Sequence, residues 1–184
     1  KKRAENVVKI LESLDNFKKG DKSINYRDLR ILALVPVKGK SVTFEGKPLI
    51  KKTLDINLFA NKELLDMLLT IKLKTIIAIS SGAAVNASKG WGAYSLSKSS
   101  LNMLIKLYAT EMENTKLLAI APGVIKTPMT DIIRYEVNDE IFSSGKVLKN
   151  GIIQTPKKAA NKLYKIHKRL KEFESGSFID VRKI

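Results

Sequence analysis

Residues 75–82 read Thr-Ile-Ile-Ala-Ile-Ser-Ser-Gly, a short apolar run that ends abruptly in small polar residues. Because successive side chains in it are apolar, instead of every second one, the run predicts a strand that is covered on both faces. Strands of that kind belong to parallel sheets packed between helices. Ser80, Ser81 and Gly82 would then lie at the carboxyl end of the strand, where ligands bind in open parallel sheets.

The segments on either side repeat this pattern. Continuous apolar runs predict further strands at 31–35, 117–120 and 177–181. Helices are predicted at 4–14, 58–73, 95–113 and 156–173, the last one capped by Thr155, and loops or irregular stretches at 16–28, 38–52, 82–93 and 128–150. The alternation of buried strands with helices predicts an α/β fold around a parallel sheet.

Composition excludes several classes of protein and site. The 184 residues suit one domain, and 44% hydrophobic residues are enough to form a core. The absence of cysteine excludes disulfides, thiolate zinc sites and cysteine nucleophiles, and the single histidine, His167, argues against a metal site or a Ser-His-Asp triad. No apolar run could span a bilayer and no signal peptide is recognisable, so a cytoplasmic protein without membrane contact is expected.

A formal net charge of +16 leaves two interpretations open. Of the 34 basic residues, 28 are lysine, and they are dispersed from Lys1 to Lys183 without interleaved aromatic residues. Nucleic-acid sites usually combine arginine, clustering and stacking rings, so a solvated surface is the favoured interpretation. A field that attracts polyanions, or nucleic acid bound by the basic helix 156–171, is the alternative.

Tyr94 and Lys98 lie four residues apart at the start of a predicted helix and therefore share one face. An ammonium near a phenol favours the phenolate, and a tyrosine tuned in this way can donate its proton to a carbonyl oxygen. The spacing alone is weak, because Tyr164 and Lys168 match it too. That second pair lies on a basic helix with no strand end or serine placed before it, and a surface position is expected for it.

Other residues accompany the first pair in a particular order. Ser81 precedes Tyr94 by 13 residues, and Asn57 precedes the long apolar helix. The stretch Pro122-Gly123-Val124-Ile125-Lys126-Thr127 ends the next strand. Together with Tyr94-xxx-Lys98, these residues resemble the short-chain dehydrogenase/reductase family, and they look most similar to the branch that includes sepiapterin reductase and benzil reductase.

The resemblance implies an NAD(P)H-dependent reductase that converts a carbonyl compound into an alcohol. Tyr94 would be the general acid, Ser81 would hydrogen-bond the substrate carbonyl, and Lys98 would hold the nicotinamide ribose. Asn57 would fix a water that links Lys98 to solvent. The loop with Pro122, Gly123, Ile125 and Thr127 would hold the nicotinamide carboxamide. NADPH is slightly preferred over NADH, because an additional phosphate suits a basic protein, and no metal is implied.

The resemblance is strongest at residues 52–130 and fails before residue 50. None of the ten glycines forms the glycine-rich turn that cradles the cofactor pyrophosphate in this family. The expected fold is therefore a single partial domain, 1–184, with a Rossmann-like doubly wound sheet that is incomplete at its N-terminal half. Either the natural protein is longer, which is the favoured interpretation, or the chain is a cofactor-free scaffold or binding protein.

The resemblance also implies partners. Helices 58–73 and 95–113 carry apolar residues on more sides than one sheet can cover, and the corresponding helices of the family form dimers or tetramers. The segment 128–150 stands where the family covers its substrate, and its apolar side chains favour a nonpolar or aromatic carbonyl compound. Trp91 could line the substrate site or pack the loop.

Overall fold

The computed structural model of the chain describes Ala33–Leu34 and residues 47–184. The predicted helix 4–14, the predicted loop 16–28, and most of the predicted strand 31–35 and of the loop 38–52 lie outside the described residues.

Within these described residues, four parallel strands form one sheet in the order β1-β2-β3-β4. The strands are β1 (Ala33–Leu34), β2 (Thr75–Ile79), β3 (Lys116–Ala121) and β4 (Phe178–Asp180). In the register, Ile77 of β2 lies opposite Leu118 of β3. The predicted α/β fold with a parallel sheet is thus confirmed, and each strand agrees with its prediction to within two residues wherever both ends are described.

Helices connect the strands and pack on the sheet. They are α1 (Lys47–Leu54), which continues through a π-helical turn (Asp55–Phe59) into α2 (Ala60–Leu68), then α3 (Gly92–Glu111), α4 (Pro128–Tyr135), α5 (Ser143–Asn150) and α6 (Pro156–Lys168). Short 3₁₀ turns span Gly82–Ala84 and Leu170–Glu172. No helix among these described residues is long and apolar enough to cross a membrane.

Two sequence predictions are wrong in their boundaries. Residues 47–52, predicted as part of a loop, are helical, because Lys51 and Lys52 occupy the solvent side of an amphipathic helix whose other side buries Thr53. The helix predicted at 58–73 ends at Leu68. Tight backbone bonds, including one from the Leu73 amide to the Ile71 carbonyl, then turn the chain into β2.

The segment 128–150, predicted as an irregular stretch, contains the two helices α4 and α5. Thr127 caps the first of them and Pro128 occupies its first turn, which are strong signals for a helix start. The helix predicted at 95–113 holds to within three residues. A third prediction, 156–173, is wrong at its end, because α6 ends at Lys168 and only a 3₁₀ turn continues toward Phe173.

Side chains of the two central strands alternate between two apolar clusters. On one face, Ile76 and Ala78 pack with Leu65 of α2 and Leu101 of α3. On the other face, Ile77 packs against a cluster formed with β3, β4 and α6, whose buried members are Leu118, Ile120, Ile166, Ile179 and Val181. Because both faces are covered, the strands can be apolar throughout, and their carboxyl ends meet at one edge.

Candidate active site

Ser81 lies where β2 ends. Its backbone is extended, and its Oγ accepts a hydrogen bond from the amide of Ala83, 3.2 Å away, which starts the short turn that follows. Its neighbour Ser80 is buried and donates to Oδ1 of Asn102 on α3 over 2.5 Å. Ser80 therefore serves to join the sheet to α3, whereas Ser81 lies in the loop at the carboxyl edge of the sheet.

Tyr94 and Lys98 lie on the first two turns of α3, which begins at Gly92. Lys98 is only 1% exposed, and its Nζ donates to the carbonyl of Ile79, the last residue of β2, over 2.9 Å. The same Nζ lies 5.9 Å from the centre of the Tyr94 ring. The ammonium is thus placed between the end of β2 and the tyrosine ring.

The Ser81 side chain lies close enough to the Tyr94 phenol to affect its pKa. Burial has the larger effect and raises the pKa of Tyr94, while the nearby Ser81 hydroxyl lowers it. This net direction is opposite to the lowering expected from the Tyr94 and Lys98 spacing. Burial also lowers the pKa of Lys98 to about 8. Tyr94 therefore carries its proton at neutral pH, as a proton donor must.

Asn57 occupies the middle of the π-helical turn and is buried. Its Nδ2 donates to Oγ of Ser97 over 3.0 Å, and that hydroxyl donates to the backbone carbonyl of Tyr94 over 2.8 Å. The Asn57 carbonyl accepts from Nδ2 of Asn61, whereas its Oδ1 is buried without a partner. Insertions of this kind in helices are frequent at functional sites, and here the turn joins Asn57 to the helix that carries Tyr94.

The loop that follows β3 leads directly into the N-terminus of α4. Gly123 adopts a positive φ of 81°, which favours glycine. Ile125 forms an isolated parallel bridge with Gln154, whose Nε2 also donates to the carbonyl of Pro122. Thr127 caps α4 by accepting from the amide of Thr130 over 3.4 Å. The loop is therefore held at three points along its length.

This part of the chain fits the nicotinamide end of a dinucleotide. Lys98 uses one of its three donors on Ile79, so two remain for hydroxyl groups such as those of a ribose. Gly123 has no room for a side chain, because a Cβ there would lie 3.0 Å from Nε2 of Gln154.

The structure separates the second Tyr-xxx-Lys pair from this site. Tyr164 and Lys168 lie on α6, with the Lys168 Nζ 4.8 Å from the centre of the Tyr164 ring. They line an open cleft of about 690 Å³ with Thr75, the first residue of β2, and so lie at the opposite end of the sheet. His167 lines that cleft too. Within residues 47–184, no three histidine, aspartate or glutamate side chains form a metal-binding group.

Three residues that contact the site were not predicted from the sequence. Ser97 lies between Tyr94 and Lys98, Gln154 lies in a stretch with no predicted element, and Arg182 follows the last strand. A polar residue within an apolar helix face was the available signal for Ser97. Trp91, whose role was left open, lies with its ring centre 5.5 Å from that of Tyr94 at a tilt of 59°.

Comparison with known proteins gives one matching family model, described as short chain dehydrogenase, which covers residues 37–138 and so more than half of the chain. Benzil reductase of Bacillus subtilis is 32% identical over 59% of this chain and 47% of its own length. Sepiapterin reductase of Bos taurus is 34% identical over 58% of this chain and 40% of its own length. The chain thus matches less than half the length of these curated relatives.

Solved structures with the same fold are more distant in sequence. The short chain dehydrogenase/reductase YIR035C of Saccharomyces cerevisiae superposes with a TM-score of 0.71 at 22% identity, over 94% of this chain and 72% of that one. A 4-hydroxyisoleucine dehydrogenase mutant complexed with NADH and succinate gives 0.70 at 22% identity, over 96% and 73%. These structures share an arrangement of strands and helices with the chain, and its Rossmann-like sheet is incomplete by comparison.

Proposed function

Because the chain belongs to the short chain dehydrogenase family, we propose that the full-length protein uses NADPH or NADH to reduce a ketone to an alcohol, with Tyr94 as the proton donor. The observation that carries this proposal is the meeting of Tyr94, Ser81 and Lys98 at the carboxyl end of β2. A residue from the end of the strand and two from the following helix converge there: Ser81 affects the pKa of Tyr94, and the buried Lys98 ammonium binds the Ile79 carbonyl 5.9 Å from the centre of the Tyr94 ring.

The proposed chemistry assigns one task to each side chain. When bound, the reduced nicotinamide supplies the hydride that adds to the carbonyl carbon. Ser81 donates a hydrogen bond to the carbonyl oxygen, on which negative charge develops. Tyr94 gives its proton to the same oxygen, so the products are an alcohol, the oxidised cofactor and a phenolate that must regain a proton. The raised pKa of Tyr94 supports this direction, because the phenol is protonated before the reaction.

Lys98 and Asn57 would hold the cofactor and restore the proton. The two free donors of Lys98 would bind the ribose hydroxyls, and its charge would stabilise the phenolate. The buried Oδ1 of Asn57 has no partner, which supports a water molecule beside it that passes protons between Lys98 and solvent. Ser97 would keep Asn57 and the Tyr94 backbone in register through its two hydrogen bonds.

The loop from Pro122 to Thr127 would hold the carboxamide of the nicotinamide ring through Ile125 and Thr127. Pro122 and Gly123 would shape its approach to the ring. The bridge from Ile125 to Gln154 supports a rigid loop. The proposed preference for NADPH over NADH is slight and rests on the net charge of +16.

We also propose that the protein is a homodimer or homotetramer through the helices predicted at 58–73 and 95–113. Apolar side chains on these helices are exposed in the single chain, namely Phe59, Met67, Leu69, Met103 and Leu107.

Segment 128–150 would cover a nonpolar or aromatic substrate, which is supported by exposed Ile132, Tyr135, Ile141 and Val147.

A fluorescence titration of the full-length protein with NADPH and NADH tests the proposed function. We expect saturable binding of at least one of them and a carbonyl-dependent loss of absorbance of the reduced nicotinamide. Tight binding of DNA or RNA with a steep dependence on salt, without binding of either nicotinamide, would instead support the basic surface as the functional feature.

A further inference from the structure

We propose that Arg182 recognises a negatively charged group on the substrate, so that the preferred ketone carries a carboxylate close to its carbonyl. This inference rests on the proposed reductase function and names the class of substrate. It follows from where Arg182 lies, from how its guanidinium is held, and from the charge around it.

Arg182 crosses the carboxyl edge of the sheet. It lies two residues after β4, yet its side chain passes over the loop that follows β3 and reaches the loop that follows β2. Its Nη2 lies 2.7 Å from where a Cβ of Gly82 would stand, and its Cγ lies 3.5 Å from the corresponding position at Gly123. A side chain at position 82 would displace the guanidinium from this path, whereas the contact at Gly123 is of ordinary van der Waals length.

This path ends beside the proposed reacting group. Gly82 directly follows Ser81, the residue that affects the pKa of Tyr94. The guanidinium that contacts Gly82 therefore lies next to the residue that follows the proposed donor to the substrate carbonyl. A ketone with its carboxylate close to the carbonyl, as in a 2-oxo acid, suits this neighbourhood.

The guanidinium is held rigidly and presents its charge outward. Nε of Arg182 donates to Oδ1 and Oδ2 of Asp180 over 2.8 and 3.2 Å, and Nη2 donates to Oδ2 as well. The Asp180 side chain is only 4% exposed, whereas that of Arg182 is 49% exposed. The guanidinium therefore lies on the solvent side of the ion pair. The N–H groups of Nη1 can donate to a carboxylate, which a guanidinium binds in fixed geometry.

Asp180 does not cancel the attraction for an anion. Lys183 lies close enough to Asp180 to lower the pKa of that carboxyl, together with the larger effect of the bond from Arg182. The end of β4 thus gathers two cations around one buried carboxylate. A substrate carboxylate would add the second anion and balance the charge.

The experiment compares phenylglyoxylate with its methyl ester, which are alike except for the charge. For the wild-type full-length protein, R182Q and R169Q, we would measure the kcat/KM of both compounds and the thermal shift that each produces with saturating NADPH. Arg169 is a matched control, because it forms a comparable forked pair with exposed Glu172 on the far side of the molecule from α3. We expect R182Q to lose roughly ten- to a hundredfold in kcat/KM for the acid. The kcat/KM of R182Q for the ester, and that of R169Q for both compounds, should change little.

Several results would overturn the role of Arg182. One is equal loss for acid and ester, which would make Arg182 a structural clamp. Another is weakened NADPH binding in R182Q with an unchanged preference between the two compounds. The thermal shift separates this inference from the proposed function, since it requires no turnover. A wild-type protein that binds the acid but reduces neither compound would contradict the reductase, whereas one that is not stabilised by the acid would contradict Arg182.

Discussion

At the scale of single residues, burial decides the protonation of the candidate site. Tyr94 is largely removed from water, so its pKa rises in spite of the nearby Ser81 hydroxyl, which lowers it. Lys98 is buried with it, and the pKa of its ammonium falls to about 8. Desolvation acts on both groups against the charged form, and the result is a neutral phenol beside a cation held by the Ile79 carbonyl.

The Tyr94 hydroxyl can be tested by its removal. We expect Y94F to lower kcat by about a hundred- to ten-thousandfold, because a positioned general acid contributes that much. NADPH affinity should stay within about twofold, because the ring and Lys98 remain in place. Y164F is the matched control, since Tyr164 also precedes a lysine by four residues and lies at the other end of the sheet. Equal activity of Y94F and wild type would remove Tyr94 from the mechanism.

Burial of Lys98 should also appear in the pH dependence of stability. Between about pH 8 and its ordinary pKa of 10.5 the unfolded chain keeps a proton that the folded chain has lost. Stability contributed through Lys98 must therefore rise with pH in that window. Between pH 8 and pH 10 we expect the unfolding free energy of wild type, relative to that of K98M, to rise by about 2 kcal/mol. Urea denaturation at each pH measures this difference. A difference that does not change with pH would contradict the depressed pKa.

At the scale of elements, hydrogen bonds hold the irregular loop after β3 in one orientation. The side chain of Gln154 binds this loop at Pro122, and the backbone of Gln154 pairs with it at Ile125. The amide of Lys126 donates to the carbonyl of Gln154 over 2.9 Å, which closes this bridge. The loop then enters α4 through the Thr127 cap, so its orientation is fixed from both ends.

Replacement of Gln154 should loosen this loop. Q154A leaves the buried carbonyl of Pro122 without its donor, and we expect a loss of about 1–3 kcal/mol in unfolding free energy and a raised KM for the cofactor. T155A is the adjacent control. It removes the cap on the Lys158 amide, bonded over 3.2 Å, and should cost about 1 kcal/mol with no change in cofactor KM. If both variants changed KM equally, Gln154 would have no special effect on the loop.

At the scale of the whole molecule, α2 and α3 form a layer that is apolar toward the sheet and carries exposed apolar side chains among charged ones on its outer side. Leu65 and Leu101 face the sheet and are fully buried. On the outside, Met103 is 55% exposed and Leu107 is 56% exposed. The two helices are joined by a hydrogen bond from Tyr108 to Asp66, so they would present one continuous surface to a second copy of the chain.

A charge in this surface should separate the subunits. We expect L107K to shift the full-length protein to a smaller mass in size-exclusion chromatography with light scattering, because an unpaired lysine cannot be buried at an apolar interface. I152K, which places the same charge at another strongly exposed position, should leave the mass unchanged. A monomeric wild-type protein, or an L107K variant of wild-type mass, would contradict the proposed interface.

Sequence patterns by themselves determined the local parts of this protein. The apolar runs around Ile77 and Leu118 required buried parallel strands, and the spacing of Tyr94 and Lys98 required one helix face, because both signals depend on neighbours along the chain. Residue order also pointed to Ser81 and to the loop from Pro122 to Thr127. Residues 47–52 were wrongly predicted as part of a loop, because lysines on the solvent side of a helix give the same basic composition as a loop.

Only the tertiary structure decided what meets across the fold. Asn57 reaches Ser97 over 40 positions, Gln154 reaches Pro122 over 32, and Arg182 lies on Gly82 although a hundred positions separate them. Such contacts arise when the sheet and its helices close, and no local period encodes them. The same closure removed water from Tyr94 and raised its pKa, because desolvation depends on everything that surrounds a group and not on the residues next to it in the chain.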